Sequence, residues 1–291
     1  MAYLNRKRLL TGAAGFVGLL IAALLALPSF LDVNAYKPEI AAQVKQATGR
    51  DLVIDGPIRL SLLPTPSVEL DGVKFLNAPG SKSPNMVEVK SVTVTPSLFA
   101  LLVGDVEVSE VALVEPKIVL EVSAEGKPNW EFAVPVAEAT SGSAKPLSLG
   151  RLIIGNGTLI FSDSKTGLSL MAEKADFSAS VGSIDGPYSL AGSATINGAP
   201  LKIDMAMSAR DATGYTVDAT LEAGGGKLSY KGTLSELSPA ARLSGRASAS
   251  ADNLVAFVET LIGIAGQPRI RLPPLLAGKF KIGRASCRER V

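Results

Sequence analysis

The chain has 291 residues, 47 % of them hydrophobic but only 5 % aromatic, and its 29 Lys+Arg against 27 Asp+Glu leave a net charge of +2. So small a charge gives no general electrostatic attraction to nucleic acid. The sequence contains no histidine, which removes the commonest general base, the commonest metal ligand and any Ser–His or Cys–His pair. The expectation is a non-enzymatic protein without cofactor or metal. Cys287 is the only cysteine, so no disulfide can form within the chain.

Arg6, Lys7 and Arg8 stand immediately before residues 9–27, LLTGAAGFVGLLIAALLAL, a run without charge. At about 1.5 Å per residue, a helix of this length nears the roughly 30 Å of a bilayer's hydrocarbon core. The basic flank holds the N-terminus in the cytoplasm. These features predict a cytoplasmic segment over 1–8, a single membrane-spanning anchor over 9–28 and an extracytoplasmic body beyond. A cleaved secretory signal has the same polarity. Its apolar region is about 7–15 residues and ends at small residues, whereas Pro28, Ser29, Phe30 and Leu31 follow here.

After the anchor, residues 36–48 read as a short helix, with Asn34 as N-cap and Gly49 as stop. From Leu52 the apolar period changes to two. Ile58, Leu60 and Leu62 alternate with polar residues until Leu63-Pro64-Thr65-Pro66 breaks the run. Val68, Leu70, Val73 and Phe75 follow, then Val87, Val89, Val92 and Val94, then Val106, Val108, Val111 and Leu113, then Ile118, Leu120 and Val122. Such alternation predicts strands with one apolar and one polar face. The apolar phase slips by one at Ser91 and again at Ser109–Glu110, which predicts a bulge at each. Residues 98–103 suggest a helical turn or loop. Trp130, the only tryptophan, lies where this region closes.

Residues 133–146 are rich in Ala, Pro, Ser, Thr and Gly and read as a linker. A second β region spans 147–281. Gly155-Asn156-Gly157, Asp163–Gly167, Asn197-Gly198 and Gly224–Gly226 read as turns between short strands of an antiparallel meander. Within it, Leu254, Phe257, Val258, Leu261, Ile262 and Ala265 follow helical spacing, predicting a helix over 253–265 capped by Asp252 or Asn253. That helix packs on the sheet, or else serves as a lid or membrane-touching element. Strand after strand shows one apolar face, and no long amphipathic helix is available to cover them all. Alternation alone leaves two solutions, a closed sandwich or barrel core and an open groove. The last ten residues, 282–291 (IGRASCRERV), resemble the translation of a common sequencing adapter, and nothing near Cys287 could activate it as a nucleophile.

The scattered acids Asp163, Asp176, Asp185, Asp204, Asp211 and Asp218 fall at strand ends and turns. No D-x-D-x-D-G loop groups them for calcium, and Gly224-Gly225-Gly226 lacks the lysine-bearing pattern of a phosphate loop.

Three segments in this order resemble the AsmA family of Gram-negative envelope proteins: ATGRDLVIDGPIRLSLLPTPSVELDGVKFLNAPG (47–80), VEVKSVTVTPSLFALLVGDVEVSEVALVEPKIVLE (87–121) and GRLIIGNGTLIFSDSKTG (150–167). The resemblance implies a mainly β protein with few helices: an N-terminal transmembrane helix, then an elongated, twisted antiparallel sheet forming an open groove. It further implies a chorein-like module over 36–132, a bacterial inner-membrane location with the bulk in the periplasm, and a chain that is the N-terminal part of a longer protein. Phospholipid and the inner membrane are the implied partners, with outer-membrane assembly components besides, and the implied role is lipid transport. Val87, Val89, Val106, Val108, Ile118, Leu120 and Val122 are the groove candidates. The alternative is a periplasmic scaffold that affects outer-membrane protein assembly through protein contacts.

Overall fold

A period of two over most of the chain gives a molecule built almost wholly of strands. The computed structural model describes residues 32–97, 100, 107–132, 149–182, 186–237, 241–264 and 280–288. The anchor, with Arg6, Lys7 and Arg8, lies outside these residues, as do Val106, all but Ala100 of 98–103, and the linker. Among the described residues no helix is long and apolar enough to cross a membrane.

After a 3-10 turn at Val33–Tyr36 come α1 (Lys37–Thr48), β1 (Leu52–Ile54), β2 (Ile58–Ser61), β3 (Ser67–Leu76), β4 (Asn85–Pro96), β5 (Val108–Val114) and β6 (Lys117–Val122). Then follow β7 (Leu149–Asp163), β8 (Ser169–Val181), β9 (Tyr188–Ile196), β10 (Ala199–Met207), β11 (Tyr215–Ala223), β12 (Gly226–Leu234) and β13 (Leu243–Ala251). The helix α2 (Leu254–Ile264) and β14 (Phe280–Arg288) complete the order.

All fourteen strands belong to one sheet, in the order β1-β3-β4-β5-β7-β8 and onward to β14, with β2 beside β3 and β6 between β4 and β7. The ends of this order, β1 and β14, do not pair with each other, so the sheet is open. The expected antiparallel arrangement needs one correction: β5 and β6 both run parallel to β7. A parallel neighbour requires a crossover rather than a hairpin, and the long connection from β6 to β7 supplies the length for it.

The first helix also differs from the sequence reading. Asp32, not Asn34, caps the 3-10 turn, its Oδ1 accepting from Asn34 N at 3.2 Å. The Asn34 side chain instead accepts from Ile58 N at 2.9 Å, tying the helix start to β2. Gly49 ends α1 in the left-handed conformation, its N–H donating to Lys45 O at 2.8 Å.

Directly opposed residues lie on the same face of a sheet, so the ladders trace each face across the molecule. From Ile196 in β9 the opposed residues are Ala172, Leu159, Ile118, Val87, Phe75 and Leu52. From Gly192 in the same strand they are Phe177, Ile154, Leu113, Val92, Leu70 and Ile58. Ile196 and Gly192 are four residues apart and share a face in the uninterrupted β9–β10 ladder. Yet Val87 and Val92 are five apart, and so are Phe75 and Leu70, Ile118 and Leu113, Leu159 and Ile154, and Ala172 and Phe177. Every strand from β3 to β8 therefore skips one step of alternation at the same level.

The residues at that level explain how. Gly72 in β3 has φ +61°, Glu115 between β5 and β6 +49°, Asn156 in β7 +51° and Lys174 in β8 +50°. A left-handed residue inside a strand turns the chain by one step and returns the apolar phase to its original face. Lys90 in β4 lies level with Gly72 and Glu115, and its Nζ holds Glu115 Oε1 at 2.6 Å. In β8 the skip is visible as two consecutive exposed residues, Glu173 and Lys174, in an otherwise alternating strand.

Of the two expected bulges, the one at Ser109–Glu110 is present: pairing steps from Thr95↔Glu110 to Pro96↔Val108 and leaves Ser109 unopposed. At Ser91 the register is unbroken, Asp71↔Ser91↔Val114, because the neighbouring strands slip together with β4. The same line of slips overturns the expected turn at Gly155-Asn156-Gly157, which lies inside β7. The turns at 163–167, 197–198 and 224–225 are where the sequence places them.

Asn156 accepts the left-handed conformation more readily than any β-branched residue. Asn156→Val is expected to lower stability by about 1–2 kcal/mol, and Asn156→Gly to leave it unchanged or raise it. Urea unfolding followed by circular dichroism measures both.

Candidate functional site

The stretch β9–β13 contains the most regular amphipathic surface. On one face lie Leu190, Ala194 and Ile196 of β9, Ala199, Leu201, Ile203, Met205 and Met207 of β10, Val217, Ala219 and Leu221 of β11, Leu228 and Tyr230 of β12, and Ala247 and Ala249 of β13, each opposed to another of the set. The alternate residues, Ser193, Lys202, Asp204, Thr216, Asp218, Glu222, Lys227, Lys231, Arg246 and Ser250, form the other face. No ionisable side chain enters the apolar face of these strands apart from the phenols of Tyr188, Tyr215 and Tyr230.

Ile203, Met205, Met207, Leu221, Leu228 and Tyr230 are only half-buried. Among the described residues no second sheet lies against them. The face curves into a cleft of about 450 Å³ lined by Ile203, Ala219, Leu221, Leu228, Tyr230 and Ala249, with their neighbours Thr220, Ser229, Ala247 and Ser248. That volume is within the range of small-molecule sites. Among the described residues the sheet does not close on itself, and this part of its apolar face is left uncovered.

The helix α2 packs on one corner of the same face, at Gly226. Asn253 caps it, its Oδ1 accepting from Ala256 N at 3.1 Å. Phe257, 3 % exposed, rests its ring on Gly226, where any side chain would collide with it. Asn197 in the β9–β10 turn donates Nδ2 to Gly263 O at 3.0 Å and fixes the far end of the helix. The helix packs on the sheet, one of the two roles the sequence allows. At the opposite end of the strands the rings of Tyr188 and Tyr215 approach at 6.2 Å, and Tyr215 is 4 % exposed.

The same face continues through β1–β8, where the groove candidates fall. Val87 and Ile118 are directly opposed, and Ile118, Leu120 and Val122 lie opposite Leu159, Phe161 and Asp163. Val108, beyond the Ser109 bulge, is opposed to Pro96. Val89 pairs with Val73 but is only 6 % exposed, sealed among its neighbours rather than facing an opening. Here a segment roofs the face: Trp130 stands 6.2 Å from Phe161, and Phe132 meets Phe75 edge-on at 5.8 Å. The groove candidates named from the sequence all fall in this N-terminal part. The more open part of the face is β10–β13, which the stricter alternation after residue 188 already marks.

Among the described residues the salt bridges lie on the polar face and near the turns. Glu222 opposes Lys227 at 3.0 Å and Asp218 opposes Lys231 at 2.7 Å, each a cross-strand pair. Arg59 bridges Glu69 at 3.2 Å and Asp71 at 2.6 Å. The Arg59 guanidinium, then the Ser91 hydroxyl, hold the Glu69 carboxyl below its usual range. The Thr166 hydroxyl does the same for Asp163, and the Thr213 hydroxyl for Asp211. These acids fasten turns. Among the described residues no three Cys, Asp or Glu side chains cluster as a metal site would require.

A second, polar cleft of about 580 Å³ opens beside the roof, lined by Arg50, residues 78–82, 121–125, 127–129 and 131, Ser162 and Ser164. Asn129 is the wedge beneath it. Its Oδ1 accepts from Glu121 N at 2.9 Å, and its Nδ2 donates to Val119 O at 2.8 Å and Asn77 Oδ1 at 2.9 Å.

Compared with known proteins, the chain matches one family model, described as the AsmA family, over residues 5–263. No curated protein matches it.

A bulky side chain in the cleft should exclude an apolar ligand. Ala219→Trp is expected to weaken binding of an apolar fluorophore such as N-phenylnaphthylamine by roughly tenfold, about 1.4 kcal/mol. Thr216→Trp, on the polar face, should leave it unchanged. Fluorescence titration of the two variants makes the comparison.

Proposed function

The chain belongs to the AsmA family, and from that premise we propose that it holds phospholipid acyl chains on the apolar face of its sheet and contributes to lipid transport between the inner and outer membranes and to outer-membrane assembly. The observation that carries this reading is the continuous apolar face of β9–β13, half-exposed and without a covering layer among the described residues. An aliphatic chain laid along it gains about 0.8 kcal/mol per methylene removed from water. The headgroup stays off the apolar track because the face is open along one side.

Few aromatic residues and many Val, Leu, Ile and Ala give a track with no deep pocket to arrest a sliding chain. The strands stand about 4.8 Å apart, so each step along the track exchanges one set of aliphatic contacts for an equivalent set. The protein works, in this reading, without catalysis. It sits at the bacterial inner membrane, anchored through residues 9–28 with Arg6, Lys7 and Arg8 on the cytoplasmic side, and projects into the periplasm.

In-cell photocrosslinking from Ile203, Leu221 and Leu228, with mass spectrometry of the adducts, tests the proposal. Phospholipid is expected on these positions and not on Lys202, Glu222 or Lys227 of the opposite face. Protein adducts in place of lipid on the apolar face would instead identify a scaffold.

A further inference from the structure

The polar cleft contains an anomaly. Arg50 is 9 % exposed, yet among the described residues its guanidinium has no carboxylate partner. Nη2 donates to Glu131 O at 3.3 Å, the group lies 5.2 Å over the Phe132 ring, and Nη1 is buried without any acceptor. Burial lowers its pKa, as expected of a cation removed from water without a counterion.

A second orphan lies beside it. Leu76 N donates to Asp51 O at 2.9 Å, which extends the β1–β3 ladder past Leu52↔Phe75 and brings Arg50 level with Asn77. The Asn77 Oδ1 is satisfied by Ala78 N at 2.8 Å and Asn129 Nδ2 at 2.9 Å, while its Nδ2 is buried with no acceptor. Two neighbouring strands thus bury two donors, one of them charged, with nothing to receive them. A lone buried donor costs about 1–3 kcal/mol and a charged one more, so a pair of them calls for an acceptor from outside the chain.

We propose that Arg50 Nη1 and Asn77 Nδ2 form a binding site for a phosphate oxygen, and that this phosphate is the headgroup of a phospholipid whose acyl chains enter the apolar face beside Phe75 and Phe132. The proposal rests on the lipid reading and names the chemistry that selects its cargo. A guanidinium fork matches phosphate geometry, and an unpaired buried cation favours an anion over a neutral carbonyl. Two of the cleft's carboxylates are engaged elsewhere: Glu121 accepts from Lys82 N at 3.1 Å, and the Glu125 carboxyl is held low by the Ser123 hydroxyl and then by its own backbone N–H. These acids and Lys82 form a rim of mixed sign, which admits a headgroup with or without an amine.

The test compares fluorescent phosphatidylglycerol with diacylglycerol bearing the same chains, binding to the full chain in detergent. Wild type should prefer the phosphate-bearing lipid by roughly tenfold or more. R50M should lose that preference, keep its affinity for diacylglycerol and melt no earlier than wild type, whereas R50K should lose it in part. Equal binding of both lipids to wild type overturns the headgroup site and leaves the acyl-chain reading standing. Binding of neither lipid overturns both. An early-melting R50M that retains the preference makes Arg50 a structural residue and overturns the site. Saturable inorganic phosphate binding that does not compete with phosphatidylglycerol assigns Arg50 to a free anion, and overturns the headgroup.

Discussion

The constraint on which the molecule depends is that every strand must keep its apolar residues on one side of a single, very wide sheet. Period-two alternation achieves this only while each strand stays in phase with its neighbours, since one missed step puts every later side chain on the wrong face. From β3 to β8 the alternation misses a step at one level, with Gly72 in β3, Glu115 between β5 and β6, Asn156 in β7 and Lys174 in β8 in left-handed conformations. The slip in any one strand would be ruinous alone. Made together, the slips cancel, and the face runs unbroken from β1 to β13.

That face has a consequence for energetics. A sheet normally buries its apolar side against a second layer. Here α2 covers one corner, around Gly226, and the segment carrying Trp130 and Phe132 covers another, above Phe75 and Phe161. The cleft between Ile203 and Ala249 has no such cover among the described residues. Folding therefore leaves aliphatic surface in contact with water, and an occupant that removes this surface stabilises the protein by the same term that drives core formation. Stability and the binding of any apolar occupant are coupled through one face.

Much of this was legible in the sequence. The strands announce themselves by alternation, and Asn197-Gly198 and Gly224-Gly225 mark hairpins because left-handed residues are cheap there. The same chemistry misled at Gly155-Asn156-Gly157: a left-handed Asn serves a turn or an in-strand slip equally well, and only the partner strands decide. The phase slip at Ser91 was readable, but not that it would leave the register intact, since that depends on Gly72 and Glu115 slipping beside it. The parallel ladders to β7 were invisible for a similar reason, because strand direction is not written in periodicity. The groove candidates from Val87 to Val122 come from the alternating runs of the N-terminal module. The strands after residue 188 have the cleaner alternation and the more open face.

Arg50 and Asn77 were passed over because neither belongs to a periodic pattern. Arg50 reads as a solvated residue after a helix stop, and Asn77 as part of a turn. Only the fold, by carrying Glu131 and Asn129 back across the β1–β3 edge, encloses them. Their burial is hard to account for by stability alone. An aliphatic side chain of similar volume at position 50 would pack against Phe132 without stranding a charge, and such replacements of buried ionic groups are often neutral or stabilising. An arginine kept where an apolar residue would serve the fold as well has its use in something that arrives from outside. The apolar face alone cannot distinguish one aliphatic chain from another. A buried cation at its edge can, because it rewards only a ligand that brings an anionic oxygen to the same end as its hydrocarbon.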